Sequence, residues 1–130
     1  MNISWSSPMS FKQSEVEKIP NEPGVYEFLQ SDVYHRYEGT TRILKIGKSE
    51  KSLREEILNH FQRHTVANRL SRIRKMPTVS VTVIFAVMSA EDADRIEKGL
   101  SREFEDKHWD LPVLNSQRGY ARSEDNHYAK

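Results

Sequence analysis

Glu97 is the residue whose type fits its position least. On a helix read over Glu91–Lys107, the residues Ala93, Ile96, Leu100 and Phe104 form the apolar stripe. At about 100° per residue, Glu97 falls about 40° from Ala93 and about 60° from Leu100, inside or beside that stripe. A carboxylate on a core-facing edge is costly unless a cation or hydrogen-bond donors meet it. Two readings follow. Glu97 holds a cation, or it is a boundary residue whose stem packs while its head reaches water or an arginine.

Other residues carry weaker signals. Tyr26 stands in a strand directly after a turn, where most tyrosines pack with the hydroxyl at the surface. Lys45 lies between Leu44 and Ile46 in a short apolar strand, sharing a face with Ile43 and Gly47. A strand lysine is ordinarily an edge residue, and a glycine just after such a strand lets a backbone or a phosphate approach closely. Gly47-Lys48-Ser49 invites a phosphate-loop reading, but that loop needs glycine five positions earlier, where Arg42 stands. His60 and His64 are four apart, yet position 61 is Phe61 rather than the Glu of a zinc-protease helix. His60 therefore suits a phosphate or base contact better than a metal.

Charge is unevenly spread. From Arg42 to Lys75 there are ten Lys/Arg against three Asp/Glu, a local charge of +7 in a chain of net +1. Lys48, Arg63, Arg69, Arg72, Arg74 and Lys75 are the part of this block that suits phosphate backbones. The same cluster also suits a solvated pair of helices.

These side chains need a scaffold. Ile19-Pro20-Asn21-Glu22-Pro23-Gly24 reads as a turn, since each proline fixes its own φ and disfavours helix before it. Val25–Leu29 and Ile43–Ile46 read as an antiparallel hairpin joined by a polar connection, Ser31–Thr41. Ser49 or Ser52 caps the next helix, with Glu55 at the capping-box offset from Ser52. Leu53, Ile57, His60/Phe61 and His64 recur at helical steps. A second helix is expected over Val66–Arg74, broken by Pro77. Val79–Met88 alternates as a central strand, and Ser89 caps the Glu97 helix. Leu111–Asn115 is an extended return.

The expected fold is α/β or α+β, a small three-stranded mixed or antiparallel sheet flanked by helices. The domain spans residues 19–118, between a peripheral segment 1–18 and a polar tail 119–130. Hydrophobic residues make 36% and charged residues 30% of 130 positions, enough for a core without staples. No cysteine is present, which excludes disulfides and Cys-based metal or redox sites. No run reaches the roughly 18 apolar residues of a membrane span, and Met1–Lys12 has no apolar signal region. A cytoplasmic location without membrane contact is the default expectation.

In combination these motifs resemble the GIY-YIG nuclease superfamily. Gly24-Val25-Tyr26 after Ile19-Pro20 and Pro23 is similar to the opening of the UvrC excision-nuclease N-terminal domain. Leu44-Lys45-Ile46-Gly47-Lys48-Ser49 resembles the second signature strand, and Leu53 with His60-Phe61 resembles the first helix. Glu97 followed by Leu111-Pro112-Val113-Leu114-Asn115 resembles the metal-binding Glu and the later Pro-x-x-Asn. The resemblance covers residues 19–118. It implies DNA phosphodiester hydrolysis with Mg2+ or Mn2+ on Glu97, as that ion's taste for carboxylate, water and phosphate oxygens allows. Tyr26 would position or deprotonate the attacking water, and a phenol needs a nearby cation to do the latter. Lys45 could supply that charge, and Asn115 would orient the site. A homodimer or a partner protein is a further expectation by analogy.

Two positions depart from the family pattern. Lys45 replaces the second signature tyrosine, as in some restriction-enzyme members. Glu56 stands where the arginine is expected, leaving Arg54 as the nearest candidate. The alternative is therefore a catalytically degenerate module of the same fold that binds nucleic acid or a partner.

Overall fold

The computed structural model describes residues 2–61 and 65–115. It is an α+β domain built on one four-stranded, wholly antiparallel sheet. The strands are β1 (Met9–Ser10), β2 (Gly24–His35), β3 (Thr40–Ser49) and β4 (Val81–Val87), in the order β1-β4-β2-β3. The helices are α1 (Gln13–Val16), α2 (Leu53–Leu58), α3 (Thr65–Arg74) and α4 (Ala90–His108).

The expected three strands become four because of the N-terminal segment. Residues 1–18 read as a polar, peripheral segment with room for a short helix over Phe11–Lys18, and α1 lies within that span. Phe11 and Val16 are nevertheless buried in the main core, and Ile3 and Trp5 pack on the second one. Met9 pairs with Val83 and Ser10 with Thr82, so β1 covers an edge of β4 that would otherwise expose its backbone groups. This places β4 between two strands, as its alternation implied.

The β2–β3 hairpin also extends further than its apolar residues. Residues expected to form a polar connection continue the ladder as Tyr34↔Thr41 and His35↔Thr40, after register shifts at Leu29. The turn itself is only Arg36 to Gly39, where Gly39 takes a left-handed φ of 72° and its carbonyl accepts from Arg36 N at 3.1 Å. Polarity misled because this end of the hairpin is largely solvent-facing, and backbone pairing needs no apolar side chain.

Strand alternation divides the core. Tyr26, Phe28 and Leu44 face α2 and its neighbours, with Leu53, Ile57 and Leu70. Val25 and Ala86 face α4, with Ala93 and Ile96. Ser52 caps α2 by accepting from Glu55 N, and Ser89 caps α4 by accepting from Asp92 N. The helix after Ser52 is shorter than its spacing implies: α2 ends at Leu58, and Asn59–Phe61 tighten into a 3-10 turn. His64 and Arg63 lie outside the described residues, as does the tail 119–130.

Candidate functional site around Gly47

Tyr26 and Gly47 are cross-strand partners on β2 and β3. The Tyr26 ring lies flat against the glycine. A Cβ at position 47 would stand 2.7 Å from Tyr26 Cε1 and closer still to Cζ and Oη. Gly47 is therefore needed for ring clearance, and it aims a fully buried phenol toward α2.

Two groups meet the phenol there. Tyr26 Oη donates to Glu56 Oε2 at 2.9 Å, and His60 Nε2 lies 3.0 Å from the same oxygen. With the Tyr26 proton on the Glu56 side, the consistent tautomer has His60 Nε2–H donating to Tyr26 Oη. The helical offset of four residues brings Glu56 and His60 onto one side, 3.7 Å apart. The neighbouring His60 imidazole, followed by the hydrogen bond from Tyr26, holds the Glu56 carboxyl below its usual range, against burial. Tyr26 moves the other way. Burial, followed by the negative charge of Glu56, pushes the phenol well above 10, so it is a neutral hydrogen-bond donor at physiological pH. Of the two roles the resemblance implied for Tyr26, this geometry suits positioning and not deprotonation.

Lys45 is paired with Phe28 across the hairpin and is half-buried. Its ammonium makes no hydrogen bond or ion pair with a described residue. Burial lowers its pKa, while Glu56 and Glu97 pull it back up. The lysine thus sits in the field of both carboxylates without being neutralised by direct contact.

Glu97 is only 7% exposed, as its place beside the α4 stripe implied. Its Oε2 is buried with no hydrogen-bond partner among the described residues. Burial raises its pKa, with Lys48 and Lys45 opposing. Its charge also reaches Tyr26. Glu56 of α2 and Glu97 of α4 thus both act electrostatically on one lysine of the edge strand β3.

Asn115 closes that edge. Its Oδ1 accepts from Ile46 N and its Nδ2 donates to Ile46 O, both at 3.0 Å, while Leu114 N donates to Leu44 O at 2.9 Å. The side chain thereby holds the backbone between Lys45 and Gly47, orienting both without reaching the phenol.

The remaining sequence candidates are placed differently. Arg54 does not join the cluster, since its Nε donates to Ile19 O at 2.7 Å. Lys48 is held in ion pairs by Asp94 and Glu50, and its contacts drive the Asp94 carboxyl down to about 2. Arg69, Arg72 and Arg74 are exposed on α3, and Lys75 is exposed directly after it. Arg74 stacks over Phe11 and Phe61, at 5.4 and 5.2 Å from the ring centroids. These cations form a surface beside the 3-10 turn that carries His60.

Glu56 was legible only as a departure from the family pattern, although its offset of four from His60 was a usable signal. It lines an open cavity of about 330 Å³ together with Ser49, Ser52, Glu55 and Asn59. Among the described residues no group of three or more His, Asp or Glu is arranged around a common metal position. Glu97 offers a single carboxylate. No helix of the described residues is long and apolar enough to cross a membrane. Protein-family models, curated proteins and solved structures include no match to the chain.

Proposed function

We propose that the chain is a nuclease domain of the GIY-YIG type with an altered catalytic set, hydrolysing DNA phosphodiester bonds. The observation that carries this reading is the buried, unpartnered oxygen of Glu97, a carboxylate whose charge acts on both Tyr26 and Lys45. That oxygen fits a single-carboxylate Mg2+ or Mn2+ site whose other ligands are water and phosphate oxygens. When bound, the ion supplies charge stabilisation at phosphorus and at the leaving 3′ oxygen.

The chain's own residues divide the rest of the work. Lys45 offers a positive charge free of direct ion pairs with the described residues, in the place of the second signature tyrosine, and offsets the phosphate charge. Glu56, ionised and open to the adjacent cavity, takes the proton of the attacking water. Tyr26 and His60 fix the Glu56 carboxylate from behind, and Asn115 fixes the Lys45 backbone. The exposed α3 cations, with Arg63, track the DNA backbone.

The test is incubation of the purified protein with supercoiled plasmid and Mg2+ or Mn2+. Wild type should nick it, and Glu97→Ala should leave it intact. Equal inertness of both proteins on several DNA substrates would remove the enzymatic reading.

A second reading has its own observation. Glu56 holds the position of the expected arginine, and Arg54 is committed to Ile19 O. On this reading the domain is a non-catalytic module that binds nucleic acid or a partner. Salt-dependent DNA binding without cleavage is its signature.

A further inference from the structure

Glu27 lies on the opposite face of β2 from Tyr26 and Phe28, toward α4. It is 7% exposed, yet it makes no hydrogen bond or ion pair with a described residue. Its carboxyl lines a cavity of about 200 Å³ between β3 and α4. The walls are Ile43, Ile46, Leu100 and Phe104. The other acid on the cavity is Glu103, a like charge. Buried carboxyls are normally paired or hydrogen-bonded, so an unmatched one on the wall of this cavity marks a missing partner.

We propose that this cavity binds a small organic cation, with a primary ammonium or guanidinium head meeting Glu27 and Glu103 and a short apolar body between Leu100, Phe104 and Ile46. The site is independent of the chemistry around Gly47 and would stand if the nuclease reading fell.

The remaining polar groups of the cavity do not fill this role. His108 Nδ1 is engaged with Glu38 O at 2.7 Å. Lys107 projects from an exposed position and forms no ion pair with Glu27. Thr40 and Thr41 also line the cavity, and Thr41 Oγ1 accepts from Ile43 N. Burial, and then the charge of Glu103, push the Glu27 carboxyl up to about 7. A bound cation would favour the ionised form and pull that value down. The volume suits a ligand of a few heavy atoms.

The test is an NMR titration of the full chain at pH 7 with n-butylammonium chloride, compared with n-butanol. Saturable shifts at Glu27, Ile46 and Leu100 amides are expected for the ammonium, with n-butanol binding at least about tenfold more weakly. Glu27→Gln, a neutral replacement of the same shape, should weaken ammonium binding by about tenfold or more while keeping the spectrum of a folded domain. Glu103→Gln, at an exposed position, gives a second variant and should weaken it several-fold. Absence of saturable shifts overturns the proposal. So does equal binding of n-butanol, which would mark a merely apolar cavity, or undiminished ammonium binding by both variants.

Discussion

The phenol of Tyr26 donates to Glu56 Oε2 at 2.9 Å across thirty residues of sequence, and the glycine opposite it on β3 makes that reach possible. Burial and the negative charges of Glu56 and Glu97 keep the phenol protonated, while the Glu56 carboxyl is held below its usual range.

Gly47→Ala tests the packing on which this pair rests. The new methyl would overlap the ring of Tyr26, which is fully buried. Overpacking of this kind costs about 1–3 kcal/mol. Urea unfolding should show a loss in that range, and the His60 ring resonances should shift as the phenol leaves its place.

Glu56→Gln and Tyr26→Phe separate the base from its positioning residue. Loss of a general base lowers rate by about 10²–10⁴-fold. Plasmid cleavage should fall by that order in Glu56→Gln. Tyr26→Phe should retain more activity while losing about 1 kcal/mol of stability with its hydrogen bonds. Equal activity of Glu56→Gln and wild type would remove Glu56 from the chemistry.

Glu97→Gln has a readout besides activity. The raised pKa reflects a carboxylate that burial disfavours, so the amide should be no less stable than wild type without metal. Millimolar Mn2+ should raise the melting temperature of wild type through binding to the native state, and not that of the variant. An equal rise in both would place the ion elsewhere.

Glu27 predicts a stability profile of definite sign. Its folded-state value of about 7 lies above the ordinary 4.5, so the folded protein holds the proton more tightly than the unfolded chain. Its contribution is fully present below about pH 4.5 and is lost as pH rises through about 7. The loss is about 3 kcal/mol at most, from the size of the shift. Comparison of wild type with Glu27→Gln by urea unfolding at pH 5 and pH 8 checks this. The variant should gain on wild type at the higher pH.

Asn115→Ala removes two hydrogen bonds to the backbone of Ile46. A net loss of about 1–2 kcal/mol is expected, with faster amide hydrogen exchange at Ile46. Loss of cleavage together with that exchange signature would show that the side chain acts by holding Lys45 and Gly47 in place.

The sequence showed the elements that declare themselves by period or by turn chemistry. The apolar stripe of α4, the Ser52 and Ser89 caps and the alternation of β4 are local, and each is where its pattern placed it. The buried position of Glu97 followed from the same helical arithmetic. The missed elements had no local pattern. β1 is two residues long, and Phe11 and Val16 join the core singly. The polar end of the β2–β3 hairpin is held by backbone pairing, to which hydropathy is blind.

By itself, then, the sequence determined an α+β domain, a carboxylate on the apolar side of its last helix and a basic middle segment, because these depend on residues within a few turns of one another. Only the tertiary structure decided what those residues do together. It turned Arg54 to the Ile19 carbonyl, locked Lys48 to Asp94, set Asn115 on the β3 edge and brought Glu56 and His60 onto the Tyr26 phenol. Each of those outcomes joins distant segments, and each is settled by which buried polar group finds a partner and which, like one oxygen of Glu97, is left without one.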